Sequence, residues 1–183
     1  MDPTLPNPAS PTPASKRSTP VNRVEQMTLA DFLRQMAAPR PFPGAAVACA
    51  LAGACAAALG EKAIAATHRH VQVPPEQAHL EQMAAVLSQL RRHLLSIADQ
   101  DRIPLAPGTS ARKEAVTLLQ QLQHDLTRIG QELTSIQRGW SNLTADPTLP
   151  PCWLEQLEPD VESALLLVHA ASAGVARILA IAP

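Results

Sequence analysis

The segment GAAVACALAGACAAALGEKAIAAT, Gly44 to Thr67, constrains this chain more than any other. Alanine is the best helix former, so the segment reads as one long helix. Its side chains are too small to fill a core alone. Such a helix must sit where neighbours come close, with Gly53 and Gly60 as the points of nearest approach, which is the position of a central helix in a bundle.

The flanking pattern supplies those neighbours. Leu80, Met83, Leu87, Leu90, Leu94 and Ile97 alternate spacings of three and four, on a helix opened by Pro74-Pro75-Glu76 and closed before Pro104. Ala115, Leu119, Leu122, Leu126, Ile129, Leu133 and Ile136 repeat that rhythm after the Pro107-Gly108 break. Two long helices with narrow apolar seams call for antiparallel partners in a left-handed bundle. Before them, Thr28 caps a short helix with Asp31 in its first turn and Leu29, Phe32, Leu33 and Met36 on one face; Pro39, Pro41 and Pro43 stop it. A proline-rich hinge spans Asp146 to Asp160, and the last helix is expected to begin at Pro159 and to run through Val161, Ala164, Leu165, Val168, Ala171, Val175 and Ile178. No strand-like alternation occurs. The predicted fold is all-α, an antiparallel bundle of about five main helices, with one domain over residues 25–183 and a disordered, proline-rich tail over residues 1–24.

Composition narrows the function. Fifteen Lys and Arg against sixteen Asp and Glu give a formal charge of −1, and two Trp, two Phe and no Tyr leave little surface for stacking bases, so nucleic acid is not an expected partner. The odd set Cys49, Cys55 and Cys152 reads as reduced thiols of a cytoplasmic protein, each a small buried hydrophobe. The N-terminus lacks the apolar stretch of a secretory signal. Pro41 to Gly60 is uncharged and Ser163 to Ala182 is apolar, but the first is mostly alanine and glycine and the second holds His169 and Arg177. Packed helices of a soluble protein account for both, with no membrane partner.

Local motifs name no reaction: there is no phosphate-binding loop, dinucleotide fingerprint, nucleophile elbow or paired-Cys zinc pattern, and no metal site is expected. Asp160 with Glu162 is the first candidate acid/base group, beside the alternative that both simply complement a helix dipole. His68-Arg69-His70, followed by His79, closes the small-residue helix and offers an anion or metal clasp, or else only a solvated helix end. Asp99 and Asp101 oppose the dipole at the end of the third helix, which implies either a longer helix or another task for the carboxylates. His93, His124 and His169 read as filling.

Taken together, MTLADFLRQMAAPRPFPGAAVACALAGACAAAL, LRRHLLSIADQD, ARKEAV and the last helix with Asp160, Ala164, Ala170, Ala171 and Gly174 resemble the cyclodeaminase/cyclohydrolase family. This is the helical domain of formiminotransferase-cyclodeaminase, which also occurs alone as a methenyltetrahydrofolate cyclohydrolase. The resemblance implies a homodimeric helical bundle acting on a tetrahydrofolate derivative, with no tightly bound cofactor. It implies Asp160 as acid/base residue, and substrate contacts at Gly44, Ala45, Ala46 and Val47 and at His68, Arg69 and His70. Two departures stand out: Gly44-Ala45-Ala46-Val47 replaces a Gly-Gly-Gly-Ser turn, and Thr67-His68-Arg69-His70 replaces a Lys-rich helix end. They open an alternative, a catalytically degenerate dimer serving as a folate-binding or protein-interaction module.

Overall fold

The computed structural model describes residues 24–39, 44–71, 73–100, 110–143 and 152–181. The expected tail, Cys152's thiol, Asp101 and the hinge residues before Cys152 lie outside what it describes. Among the described residues there is helix and no strand: a 3-10 turn at Val24–Gln26, then α1 (Leu29–Met36), α2 (Ala45–His68), α3 (Pro74–Gln100), α4 (Ser110–Leu143) and α5 (Cys152–Ile181).

α1 starts where its sequence says it should. Thr28 Oγ1 accepts the backbone N–H of Asp31 at 3.1 Å and donates to Asp31 Oδ2 at 2.7 Å. That hydroxyl, with the Arg34 guanidinium, holds the exposed Asp31 carboxyl below the ordinary carboxylate range. Buried Phe32 and half-buried Met36 fasten α1 to the core.

α2 packs on α3 and α5, α4 closes the bundle against α5, and α4 meets α3 and α2 along slighter seams. Sequential neighbours run antiparallel. α2 and α4 are therefore parallel across the diagonal, and their contact is layered by heptads. A Cβ on Gly53 would collide with Leu126 and come within 2.9 Å of Leu94; one on Gly60 would come within 2.7 Å of Leu87 and 2.8 Å of Leu133. One heptad further, Trp140 Nε1 donates to Thr67 Oγ1 at 2.9 Å. Each layer thus sets a small α2 residue against a large α4 residue, with a leucine of α3 beside it in the first two. This is how a helix of alanine and glycine builds a core: its neighbours' leucines occupy the space its own side chains leave empty.

Two expectations are corrected. α5 begins at Cys152, seven residues before Pro159, and proline stands inside the helix. Pro159 cannot donate a hydrogen bond to the preceding turn, at a cost of about 3 kcal/mol. Leu154 and Leu157 nevertheless continue the stripe of Val161, Ala164 and Val168 onto the core, and burying them carries the helix through. Of the thiols expected to be buried, Cys49 is half-buried against Gly174, and burial pushes its pKa up; Cys55 faces outward and is exposed. The smallness of α2's side chains gave no sign of which cysteine faces out.

By length and composition alone, Ala45–His68 and Leu154–Ile181 are apolar enough to cross a membrane. Half of the first stretch is buried within the bundle, but only 22% of the second, because α5 packs with one face and turns Leu166, Ala170 and Ala173 outward.

Candidate functional site

Asp160 stands in the third turn of α5, where the antiparallel packing on α2 brings it to Lys62. Lys62 Nζ donates to Asp160 Oδ2 at 2.6 Å, with the carboxylate side chain 24% exposed and the ammonium 63% exposed. The pair is therefore open to water on the lysine side and fixed on the carboxylate side. One residue back on α2, Glu61 receives Arg91 of α3, Nε at 2.7 Å and Nη2 at 3.4 Å. Charge thus crosses α2 from α5 to α3, in two adjacent pairs that the sequence reading did not single out.

The seven expected substrate contacts do not come together. Gly44 caps α2 at its N-terminus, while His68 ends the helix and Arg69 caps its C-terminus. The helix separates them by about 36 Å. At the first end Ala45 is exposed and Gly44 and Ala46 are partly so, whereas Val47 has no exposed surface and belongs to the core. At the second end Arg69 is exposed, and His68 Nε2 lies 3.3 Å from Glu81 Oε1 without the alignment of a hydrogen bond. Asp160, through Lys62, lies six residues, a little under two turns, from the His68 end.

The third heptad layer opens beside that end. Thr67, Val71, Met83, Ile136 and Trp140 floor a cavity of about 460 Å³, with Glu76 and His79 at its rim. The floor's polar atoms are occupied: Thr67 donates to Ala63 O at 2.8 Å and accepts the Trp140 indole N–H. An apolar floor with an ionisable rim, in the size range of small-molecule sites, suits a flat ring system. His79, grouped in the sequence with His68-Arg69-His70, does line this cavity. The pairing of Thr67 with Trp140 escaped notice, although Gly53, Gly60 and Thr67 recur at heptad spacing and so mark one α2 face.

A further pair was missed. Asp125, 4% exposed, lies between Leu122 and Leu126 of α4, and its Oδ2 meets Nδ1 of His93 on α3 at 2.5 Å. The signal was an acid immediately before the seam residue Leu126 and three residues after Leu122. His93, read as filling, is the group that makes burial of this carboxylate tolerable. Asp99, whose place at a helix end called for another task, has one: its Oδ1 accepts the Val24 N–H at 2.6 Å and ties the 3-10 turn to α3. Among the described residues no group of three or more His, Cys, Asp or Glu could hold a metal ion.

No curated protein and no solved structure matches the chain. A family model does, the one described as formiminotransferase-cyclodeaminase, and its match covers residues 28–129. The matched span runs from the Thr28 cap through α2 and α3 into α4, and ends before α5. It includes Gly53 and Gly60 of α2 and the Lys62 side of the Asp160 pair, while Leu133 of the second layer lies beyond it. Since it takes in more than half of the 183 residues, including the small-residue helix on which the whole bundle is built, the chain belongs to the formiminotransferase-cyclodeaminase family.

Proposed function

We propose that this protein is a folate one-carbon enzyme of methenyltetrahydrofolate cyclohydrolase or formiminotetrahydrofolate cyclodeaminase type, with Asp160 as its acid/base residue. The observation that carries the reading is the Lys62–Asp160 pair: a partly exposed carboxylate, oriented by an ammonium, on the helix whose signature resembles the family's. The Asp160 carboxylate would accept a proton from the water that attacks a methenyl bridge, or assist ring closure and return a proton to departing ammonia. Lys62 fixes which oxygen faces the ligand, and its open side offers a cation to a substrate carboxylate.

A second reading, a bundle that binds folate or a protein partner without turnover, is favoured by one observation. Val47 replaces the turn's hydroxyl with a fully buried side chain, which leaves the Gly44 end of α2 without that polar group. The decay of 5,10-methenyltetrahydrofolate absorbance separates the two. Acceleration by the native chain, reduced at least about a hundredfold in Asp160→Asn, is expected for general acid/base catalysis. A folded protein without acceleration selects the binding module.

A further inference from the structure

His93 differs from the other described histidines in what holds it. His68 has a buried Nε2 without a hydrogen bond, and His79, His124 and His169 are exposed with no carboxylate paired to them. His93 Nδ1 instead meets Oδ2 of the buried Asp125 at 2.5 Å. A carboxylate only accepts, so Nδ1 carries the hydrogen, and the neutral ring holds its lone pair on Nε2. That nitrogen bonds nothing and is not buried, and the ring is partly open to water. The pair stands at the level of Gly53, one residue before Leu94 on α3 and Leu126 on α4. The seam between α3 and α4 is slight there, which leaves the outer edge of the ring uncovered.

The surroundings favour an anion. Within one turn of the pair on either helix, residues 89–97 and 121–129, there is no acid besides Asp125. The permanently charged side chains of that span are Arg91, which is bonded to Glu61, and Arg92 and Arg128. The last two are exposed, and among the described residues no carboxylate pairs with either. Arg128 comes three residues after Asp125 and so lies on the same side of α4. A carboxylate-bound imidazole thus presents its free nitrogen beside two unneutralised guanidinium groups, in the pattern of an activated nucleophile with an electrostatic approach for an anionic electrophile.

We propose that His93 Nε2 is a phosphoryl-acceptor site, loaded by a small donor of the acyl phosphate or phosphoramidate class. The Nε2 lone pair attacks phosphorus, and the bond from phosphorus to its leaving group breaks. The electron pair departs with the carboxylate of the acyl phosphate or with the ammonia of the zwitterionic phosphoramidate. The ring keeps its Nδ1 hydrogen and takes a positive charge, which the Asp125 carboxylate offsets at hydrogen-bond distance. Arg92 and Arg128 supply cations for the phosphoryl oxygens. A P–N bond on a charged ring is itself labile, so the donor must have a comparable tendency to transfer its phosphoryl group, which excludes ordinary phosphate esters. Lys62 is nine residues beyond Gly53 on α2, about 13 Å along the helix, so this site is separate from the Lys62–Asp160 pair and does not depend on the folate reading.

The test treats the full chain with potassium phosphoramidate near neutral pH, follows phosphohistidine by phosphorus NMR and locates it by mass spectrometry under alkaline handling. His93 is expected to react at least about tenfold faster than His124 or His169, the effect of one hydrogen bond to a charged group. Asp125→Asn keeps the shape and should remove most of that advantage. It should also slow carbethoxylation of His93 by diethyl pyrocarbonate, a neutral electrophile. Arg128→Gln should slow the phosphoramidate reaction severalfold and leave carbethoxylation unchanged, which separates attraction of the anion from nucleophilicity. A merely structural pair would lower the melting temperature in Asp125→Asn and leave the three histidines alike toward both reagents. Reaction of His93 no faster than His124 and His169 overturns the proposal, and because this comparison is made within the native chain it decides even where Asp125→Asn fails to fold. An unchanged His93 rate in a folded Asp125→Asn protein, or an Arg128→Gln effect shared by both reagents, overturns it as well.

Discussion

Thr67 shows how much of this fold rests on single atoms. The residue is 1% exposed, and its hydroxyl accepts the Trp140 indole N–H and donates to Ala63 O, so the buried indole is satisfied by one hydroxyl. Thr67→Val keeps the shape and strands the indole N–H in an apolar surround. Urea denaturation should show a loss of about 1–3 kcal/mol. Adding Trp140→Phe should cost less than the two separate changes combined, because the unpaired donor disappears with it. The His93–Asp125 pair follows the same logic with a charge: its carboxylate is buried and its imidazole side chain 41% exposed, so the pair is anchored in the core on one side and reaches solvent on the other.

At the scale of the element, α2 is defined by what it lacks. Glycine in a helix interior is unfavourable by about 1 kcal/mol against alanine, so Gly60→Ala would stabilise an isolated helix. Inside the bundle its new methyl would meet Leu87 and Leu133, both fully buried and closed in on every side. Overpacking of this kind costs about 1–3 kcal/mol, so a net loss of about 1 kcal/mol is expected. Gly139 of α4 is the internal control: a Cβ there meets nothing within 4 Å, and Gly139→Ala should gain about 1 kcal/mol in the same denaturation series. The opposite signs would separate close approach from helix propensity, and equal signs would refute the layered packing. α5 balances the other way, accepting an internal proline because Leu154 and Leu157 lie on the core side of the turn it weakens.

At the scale of the whole molecule, the two features left over are an outward apolar face and the separation of the two groups of residues expected to contact substrate. Leu166 is 70% exposed on α5, with Ala170 and Ala173 on the same side. The Gly44 and His68 ends of α2 stand too far apart to grip one ligand within one chain. A twofold pairing of two copies through α5, with the helices antiparallel, would cover the face and bring the Gly44 end of one bundle toward the His68 end of the other. Light scattering at micromolar concentration should then report twice the 19.5 kDa chain mass, and Leu166→Glu should return it to the single mass. A native chain that scatters as a monomer would refute the pairing and leave each end of α2 to act alone.

Much of the fold was legible in the sequence. Small residues in α2 and leucines three and four apart in α3 and α4 specify helices, their inward faces and a bundle, because helical periodicity is a local property that one segment expresses by itself. The resemblance named the family, and Asp160 was visible as a carboxylate on a helix. Its partner Lys62 was not, nor were the pairings Thr67–Trp140 and His93–Asp125, or the start of α5 before Pro159. Each depends on how far one helix is rotated and slid against another. That stagger is fixed only when all the seams close at once around Gly53 and Gly60, so the chemistry between helices was decided by the tertiary structure and the helices themselves by the sequence.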